Sequence, residues 1–345
     1  MLSDRLTRAR WVKGALAGVA ALLGAATAQA QTPVRFSLDW RWEGPAAPFA
    51  VALDKGYFKA EGLDVTIDPA AGSREPISRV ASGTYDAGFG DVNSLVRFRD
   101  ENPGTDIKAV MVIYDRPPFA IIGRKSRGIT KQVSSLQGKR FGAPAADGAY
   151  AQWPIFKAVN KIDDGTMKFE NVGFPVREPM LAQGEVDAVF GFSMSSYINL
   201  KSRGVPADDI VVMLMSDYGV DLYGNTIIVS EKFAKEKPEA VKGLLRAIMK
   251  GVQDTVKDPS SAVDAVIKRN DVAKKDVELE RLKMVLEQNM LTPWVKEKGF
   301  GGIDKERFAR ALDQIGLTFT YKAKPKVEDV FTEDFLPAAE QRKVN

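Results

Sequence analysis

Carboxylates, amides, hydroxyls and aromatic rings are the groups here that could act on a small molecule, because the sequence holds no histidine and no cysteine. Without cysteine there are no disulfides, thiolate nucleophiles or thiolate zinc sites. Without histidine the commonest general base, any Ser–His–Asp triad and most transition-metal sites are excluded as well. What remains suits holding a solute, with no metal or cofactor expected. Trp40 and Trp42 stand in a loop with Glu43-Gly44-Pro45, where an indole can stack on a planar ring and donate its N–H. Asp39 can accept from a ligand amine or cap the next helix. Ser73 and Arg74 precede a helix, where a hydroxyl and free N–H groups suit either an N-cap or an anion. Asp91 and Asn93 are placed to hydrogen-bond a polar solute, and Phe192 and Met194 offer an adaptable apolar wall. Asp147 and Tyr150 follow the Gly142-Ala143-Pro144 turn. Pro154 delays the regular helix there, which predicts an irregular, ligand-facing loop over 147–152. Tyr114, Arg116, Asp217 and Tyr218 lie where the chain is expected to cross between two halves.

This inventory has several aromatics and carboxylates and few convincing cations. It favours a planar heteroaromatic solute with N–H donors, such as an aminopyrimidine or related vitamin precursor. The alternative is a sulfonate such as taurine, a nitrate or an aromatic carboxylate held by Arg74, Arg116 and helix N-termini. Two readings of another class are an enzyme using Asp91 and Asp217 as paired acid and base, and an exported sensor or interaction module.

The elements that position these residues follow an α/β pattern. Val34, Phe36 and Leu38 alternate with polar residues, Leu63, Val65 and Ile67 do so again, and Pro48–Ala60 between them has helical spacing. The alternation continues to Ile210–Met215 and predicts mostly parallel sheets covered on both faces, that is, doubly wound lobes. After a strand at Asn225–Val229 the chain is amphipathic and helical to Ile315, mass expected to return over the first lobe. Lobe 1 is therefore expected at 31–116 plus 220–345 and lobe 2 at 117–219, with a hinge of two crossings near Asp115–Pro118 and Asp217–Gly224.

An internal echo supports two related lobes. Gly83-Thr84-Tyr85-Asp86-Ala87-Gly88-Phe89-Gly90 recurs as Gly184-Glu185-Val186-Asp187-Ala188-Val189-Phe190-Gly191, a G-x-x-D-A-x-F-G pattern at an offset of 101 residues. The first glycine suits the left-handed turn that ends a helix, and the last lets the chain leave the sheet at the strand edge where ligands bind in open α/β sheets.

The run Gly56-Tyr57-Phe58-Lys59-Ala60-Glu61-Gly62-Leu63-Asp64-Val65, together with Leu38-Asp39-Trp40, the two echoes and Gly138–Pro144, resembles the type II periplasmic solute-binding proteins, over roughly residues 34–260. The similarity is to the group holding the sulfonate, taurine, nitrate and thiamine-pyrimidine-precursor receptors. It implies a hinged two-lobe clamp, monomeric and non-catalytic, that delivers a small solute to the permease of an ABC importer. The pyrimidine-synthase branch of that group depends on a histidine and a cysteine-rich segment, and the desulfinase branch on a cysteine; neither residue type is present.

The first thirty residues read as a targeting segment: Arg5, Arg8, Arg10 and Lys13, then apolar Gly14–Thr27, then Ala28-Gln29-Ala30. A cleaved signal peptide over 1–30 and a periplasmic mature chain are expected. The segment carries four Lys/Arg and one Asp, so its removal takes the net charge from +4 to +1. No Lys/Arg run remains, so there is no electrostatic footprint for nucleic acid.

Overall fold

A computed structural model describes residues 30–344; the targeting segment, apart from Ala30, lies outside them. The strands are β1 (Thr32–Ser37), β2 (Leu63–Asp68), β3 (Ala87–Asp91), β4 (Ile107–Val112), β5 (Phe119–Arg124), β6 (Arg140–Gly142), β7 (Lys168–Glu170), β8 (Ala188–Phe192), β9 (Ile210–Leu214) and β10 (Asn225–Ser230). They form two five-stranded sheets in the orders β2-β1-β3-β10-β4 and β7-β6-β8-β5-β9. The echoed strands β3 and β8 hold the same central place in the two sheets. The aspartate of each echo does the same work: Asp86 Oδ2 accepts the Arg35 N–H at 2.8 Å, and Asp187 Oδ2 accepts the Arg140 N–H at 2.9 Å. Each thus fastens the start of the central strand to its parallel neighbour, β1 or β6. Gly83 and Gly184, at φ 71° and 80°, make the left-handed turn before it.

The sheets are mixed where sequence pattern predicted mostly parallel ones. β10 runs antiparallel to β3 and β4, and β5 antiparallel to β8 and β9. Both are the first strands after a passage between sheets. A chain leaving one sheet at its C-terminal edge enters the other from that side, and so must run against the strands already there.

Several helices differ from their sequence outlines. The run 48–60 is two helices, Ala47–Asp54 and Tyr57–Ala60, divided by Gly56 in the left-handed region. Residues 147–152 are no irregular loop: Asp147 caps a short helix, Gly148–Ala151, by accepting the N–H groups of Ala149 and Tyr150. Pro154 enters the first turn of the next helix, Trp153–Val159, where no N–H is needed. Strand β7, three residues long, carries too little alternation to be read.

The C-terminal helices cover the first sheet. The helix Pro238–Lys257 lies on Ala47–Asp54, so close at Gly251 that a Cβ there would stand 2.1 Å from the Pro48 carbonyl oxygen. Lys275–Val285 additionally packs on Ser193–Ser202, a helix beside the second sheet. Among the described residues no helix is long and apolar enough to cross a membrane.

The two passages between sheets, 113–118 and 215–224, touch. The Gly224 N–H donates to the Tyr114 carbonyl at 2.9 Å, and Arg307 grips both, bonding Asp115 at 3.2 Å, Asp221 at 3.0 Å and the Leu222 carbonyl at 2.7 Å. A Cβ on residue 224 would lie 2.8 Å from the Tyr114 Cβ. Gly224→Ala is therefore expected to destabilise the protein by about 1–3 kcal/mol through overpacking. Chemical denaturation measures this, and stability equal to wild type would contradict it.

A cleft lined from both sheets

The loops at the C-terminal ends of β1, β6 and β8 face one another, as ligand-binding edges of α/β sheets do. From β1 the chain runs into Asp39-Trp40-Arg41, held to the segment after β2 by the Gly72 N–H donating to the Asp39 carbonyl at 3.1 Å. The loop after β6 brings Ala146-Asp147-Gly148, and β8 brings Phe192 and Met194. These loops enclose about 570 Å³ of atom-free space, counting the open mouth. Of the sequence-predicted residues, Asp39, Trp40, Ser73, Tyr114, Asp147, Phe192 and Met194 line it; Glu43, Phe174 and Arg177 do so without having been singled out.

The halves touch across this cleft. Trp40 meets Phe174 edge-on, ring centroids 5.1 Å apart, and Arg74 Nη1 donates to the Ala145 carbonyl at 3.2 Å. Phe119 and Phe192 pack at 5.8 Å on one wall.

On the floor, Asp39 Oδ2 accepts from Asn225 Nδ2 at 2.8 Å. Burial pushes the Asp39 carboxyl up to about 7, and the neighbouring Glu43 charge adds to the rise. Burial, with the charge of Asp39, also holds the Tyr114 phenol far above its ordinary range. The Tyr114 hydroxyl and Ser73 Oγ are buried with no hydrogen-bond partner, an unfavourable state for a polar group. Burial raises Glu43, with Arg281 opposing from 3.5 Å.

The cations are less available than the carboxylates. Arg177 is buried and committed: Nη1 to Asp147 at 2.9 Å and Nη2 to Glu178 at 2.6 Å, with Glu178 also accepting from Ser196 Oγ at 2.7 Å. Arg281 is bound to Glu278 at 3.0 Å and to the Met194 carbonyl at 3.3 Å. Arg41 is exposed, beside the Trp40 ring. Among the described residues no acidic group is arranged to hold a metal.

Arg74, Asn93 and Tyr150 lie apart from this space, around a second cavity. Trp42, Asp91, Arg116, Asp217 and Tyr218 line neither. Trp42 packs on the first half's core under Arg269, 5.3 Å from its ring. The Asp91 carboxylate caps the helix Val92–Glu101, accepting from Asn93 and Ser94. Tyr218 donates to the Lys131 carbonyl at 2.7 Å. Asp217, the other half of the candidate acid–base pair, is ion-paired to Arg116. Asp91 is thus a helix cap and Asp217 an ion-pair partner in the passage 215–224, and neither lines the cleft.

Two related α/β halves with a lined cleft between them make this a protein of the periplasmic solute-binding fold. The alkanesulfonate-binding protein SsuA from Xanthomonas axonopodis pv. citri, solved with MOPS bound, shares that fold with a TM-score of 0.66 at 14% identity, over 89% of this chain and 98% of that one. The chain belongs to the NMT1/THI5 like family, which matches residues 45–262. It is 27% identical over 299 residues to the riboflavin-binding protein RibY of Chloroflexus aurantiacus, covering 84% of this chain and 82% of that protein. It is also 27% identical over 318 residues to the formylaminopyrimidine-binding protein of Halalkalibacterium halodurans, covering 88% and 91%. The 4-amino-5-hydroxymethyl-2-methylpyrimidine phosphate synthase THI13 of Saccharomyces cerevisiae matches at 26% over 238 residues, 66% of this chain and 68% of that one.

Proposed function

We propose that this chain is an exported, monomeric receptor that captures a nitrogen heteroaromatic solute in the cleft and hands it to the permease of an ABC importer without transforming it. The observation that carries the solute class is the lining itself: the Asp39 carboxyl and the Tyr114 and Ser73 hydroxyls face the space, while the buried Arg177 is paired with Asp147 and Glu178, the buried Arg281 with Glu278 and Glu43, and the lining cation Arg41 is exposed. Carboxylates and hydroxyl oxygens take hydrogen bonds from amino and ring N–H groups, and Trp40, Phe174 and Phe192 supply the flat walls a ring needs. A sulfonate or nitrate would meet buried carboxylates with no free buried cation to offset them. Two relatives that bind riboflavin or a formylaminopyrimidine agree with this solute class. Binding without turnover is supported by the lack of His and Cys and by the separate duties of Asp91 and Asp217.

Closure follows population shift: the halves flex about the two touching passages, and a solute that touches both favours the closed form. The test is a thermal-shift and native mass-spectrometry screen of the secreted chain against aminopyrimidines, flavins, sulfonates and nitrate. A heteroaromatic at 100 times its dissociation constant should stabilise by about 2.7 kcal/mol and be recovered unchanged. Stabilisation by sulfonates alone would overturn the solute class, and consumption of the ligand would overturn the non-catalytic reading. Trp40→Ala should weaken binding of that heteroaromatic about tenfold or more, because an aromatic contact and its buried area are lost together; titration by calorimetry measures it, and unchanged affinity would remove Trp40 from the site.

A further inference from the structure

Three consecutive residues of the first half, Gly72-Ser73-Arg74, run along the second half at 145–148. A Cβ on Gly72 would lie 3.4 Å from the Ala146 carbonyl oxygen, and one on Gly148 only 2.8 Å from Ser73 Oγ. Arg74 reaches the Ala145 carbonyl along the same line. This line of contact lies away from the two passages. The passages leave β4 and β9 and enter β5 and β10, strands gathered at one end of each sheet. Residues 72–74 follow β2 and 145–148 follow β6, at or next to the other end. The halves therefore meet at the mouth of the clamp, where rotation about the passages moves them most.

The two glycines of this line differ in what requires them. Gly72, at φ 141°, has a backbone conformation that favours glycine by itself. Gly148 does not: it opens the helix Gly148–Ala151 and has no positive φ, and alanine is the better helix former. Within its own half a Cβ at 148 would lie 3.3 Å from Phe119 Cε1 and 3.6 Å from Phe192 Cε1, a tight fit that a small ring movement absorbs. The clash is with the other half. Non-bonded atoms rest best at about 3.5–4.0 Å, so a methyl at 148 would hold Ser73 roughly 0.7 Å further off. A gap of that size forfeits roughly a quarter to a half of the dispersion attraction along the line, and the Trp40–Phe174 contact and the Arg74 bond depend on the same approach. The Ser73 main chain is held in place, its carbonyl accepting the Asp91 N–H at 3.0 Å. Its Oγ makes no hydrogen bond, so none is lost when that atom is removed.

We infer that Gly148 is a positioning residue for closure: lacking a side chain, it lets the second half come to rest on Ser73, and that contact sets how narrow the closed cleft is. This rests on the cleft being the place of capture, not on the class of solute. Distances between the halves test it. The sequence holds no cysteine, so Asp64→Cys and Lys168→Cys, at exposed positions on β2 and β7, take one spin label each. Double electron–electron resonance then gives the distribution of separations with no solute added. Gly148→Ala should lower the ratio of the separation found in this structure to longer ones about fivefold or more, through overpacking. In a Ser73→Ala background, where the opposing oxygen is gone, the same change should lower it by less than about twofold. The new methyl meets Phe119 and Phe192 equally in both backgrounds, so a folding defect would not be rescued in this way. An unmoved ratio in Gly148→Ala, equal losses in both backgrounds, or a parent chain without the short separation would each overturn the inference. None of these outcomes bears on the solute class, which the ligand screen decides.

Discussion

Asp39→Asn is expected to make the ligand-free protein more stable at pH 8 by roughly 2–4 kcal/mol while weakening solute capture at least tenfold. A carboxyl that ionises at about 7 in the fold instead of at 3.8 costs the folded state about 4 kcal/mol once it is charged. The sign follows from proton counting. Below about pH 4 the group is protonated in both folded and unfolded chains, and there is no penalty. Between about 4 and 7 the folded chain keeps a proton the unfolded chain has lost, so stability falls as pH rises, and above 7 the penalty is complete. Asparagine is neutral throughout and its carbonyl can still accept from Asn225. The gain should therefore be large at pH 8 and vanish near pH 4. Urea denaturation of both proteins at the two pH values measures it; a variant no more stable than wild type at pH 8 would refute the buried-charge account. A stabilised protein that has lost affinity is the signature of a residue kept for function.

Arg177→Met should act in the opposite direction, with a loss of about 3–5 kcal/mol at pH 8. Its guanidinium, 5% exposed, sits between Asp147 and Glu178, themselves 5% and 4% exposed. Removing it leaves two buried carboxylates facing each other in a low-dielectric setting. Burial already raises Asp147, with Arg177 holding it down, so in the variant Asp147 should take up a proton more readily and the loss should shrink towards pH 5. A loss below about 1 kcal/mol at pH 8, or one that does not vary with pH, would show that the trio does not depend on its cation. Because Asp147 also caps Gly148–Ala151 on the cleft wall, affinity should fall with stability.

How much of this was legible beforehand depends on the range of the interaction concerned. The echo at 83–90 and 184–191 marked the two central strands, because its glycine, aspartate and apolar pair answer to local needs: a left-handed turn, a strand-fastening carboxylate and a buried strand. Of the predicted residues that line the cleft, only Phe192 and Met194 lie at the end of an echoed strand; Asp39, Trp40, Ser73, Tyr114 and Asp147 follow other strands of the same α/β pattern. Asp91 and Trp42 lie outside the cleft lining: cap and ligand contact, or core ring and stacking ring, have the same local sequence, and only tertiary position divides them. Arg177 carried no signal at all, since Arg177-Glu178 on a helix reads as a solvated pair; what buries it is the close approach of Gly191, where a Cβ would stand 3.0 Å from the guanidinium carbon. The antiparallel strands β5 and β10 were hidden for a related reason: direction within a sheet is set by the route between halves, not by residue pattern.

That route also has a consequence for the order in which the protein takes shape. Strand β10 is inserted between β3 and β4, so the earlier sheet has a gap beside its central strand until residues 225–230 arrive. The later sheet draws all its strands from one uninterrupted stretch, Phe119 to Leu214, and needs nothing from beyond it. Contacts close in sequence form sooner than distant ones, so the half begun second should be finished first, with the other assembling around it as its last strand is threaded home.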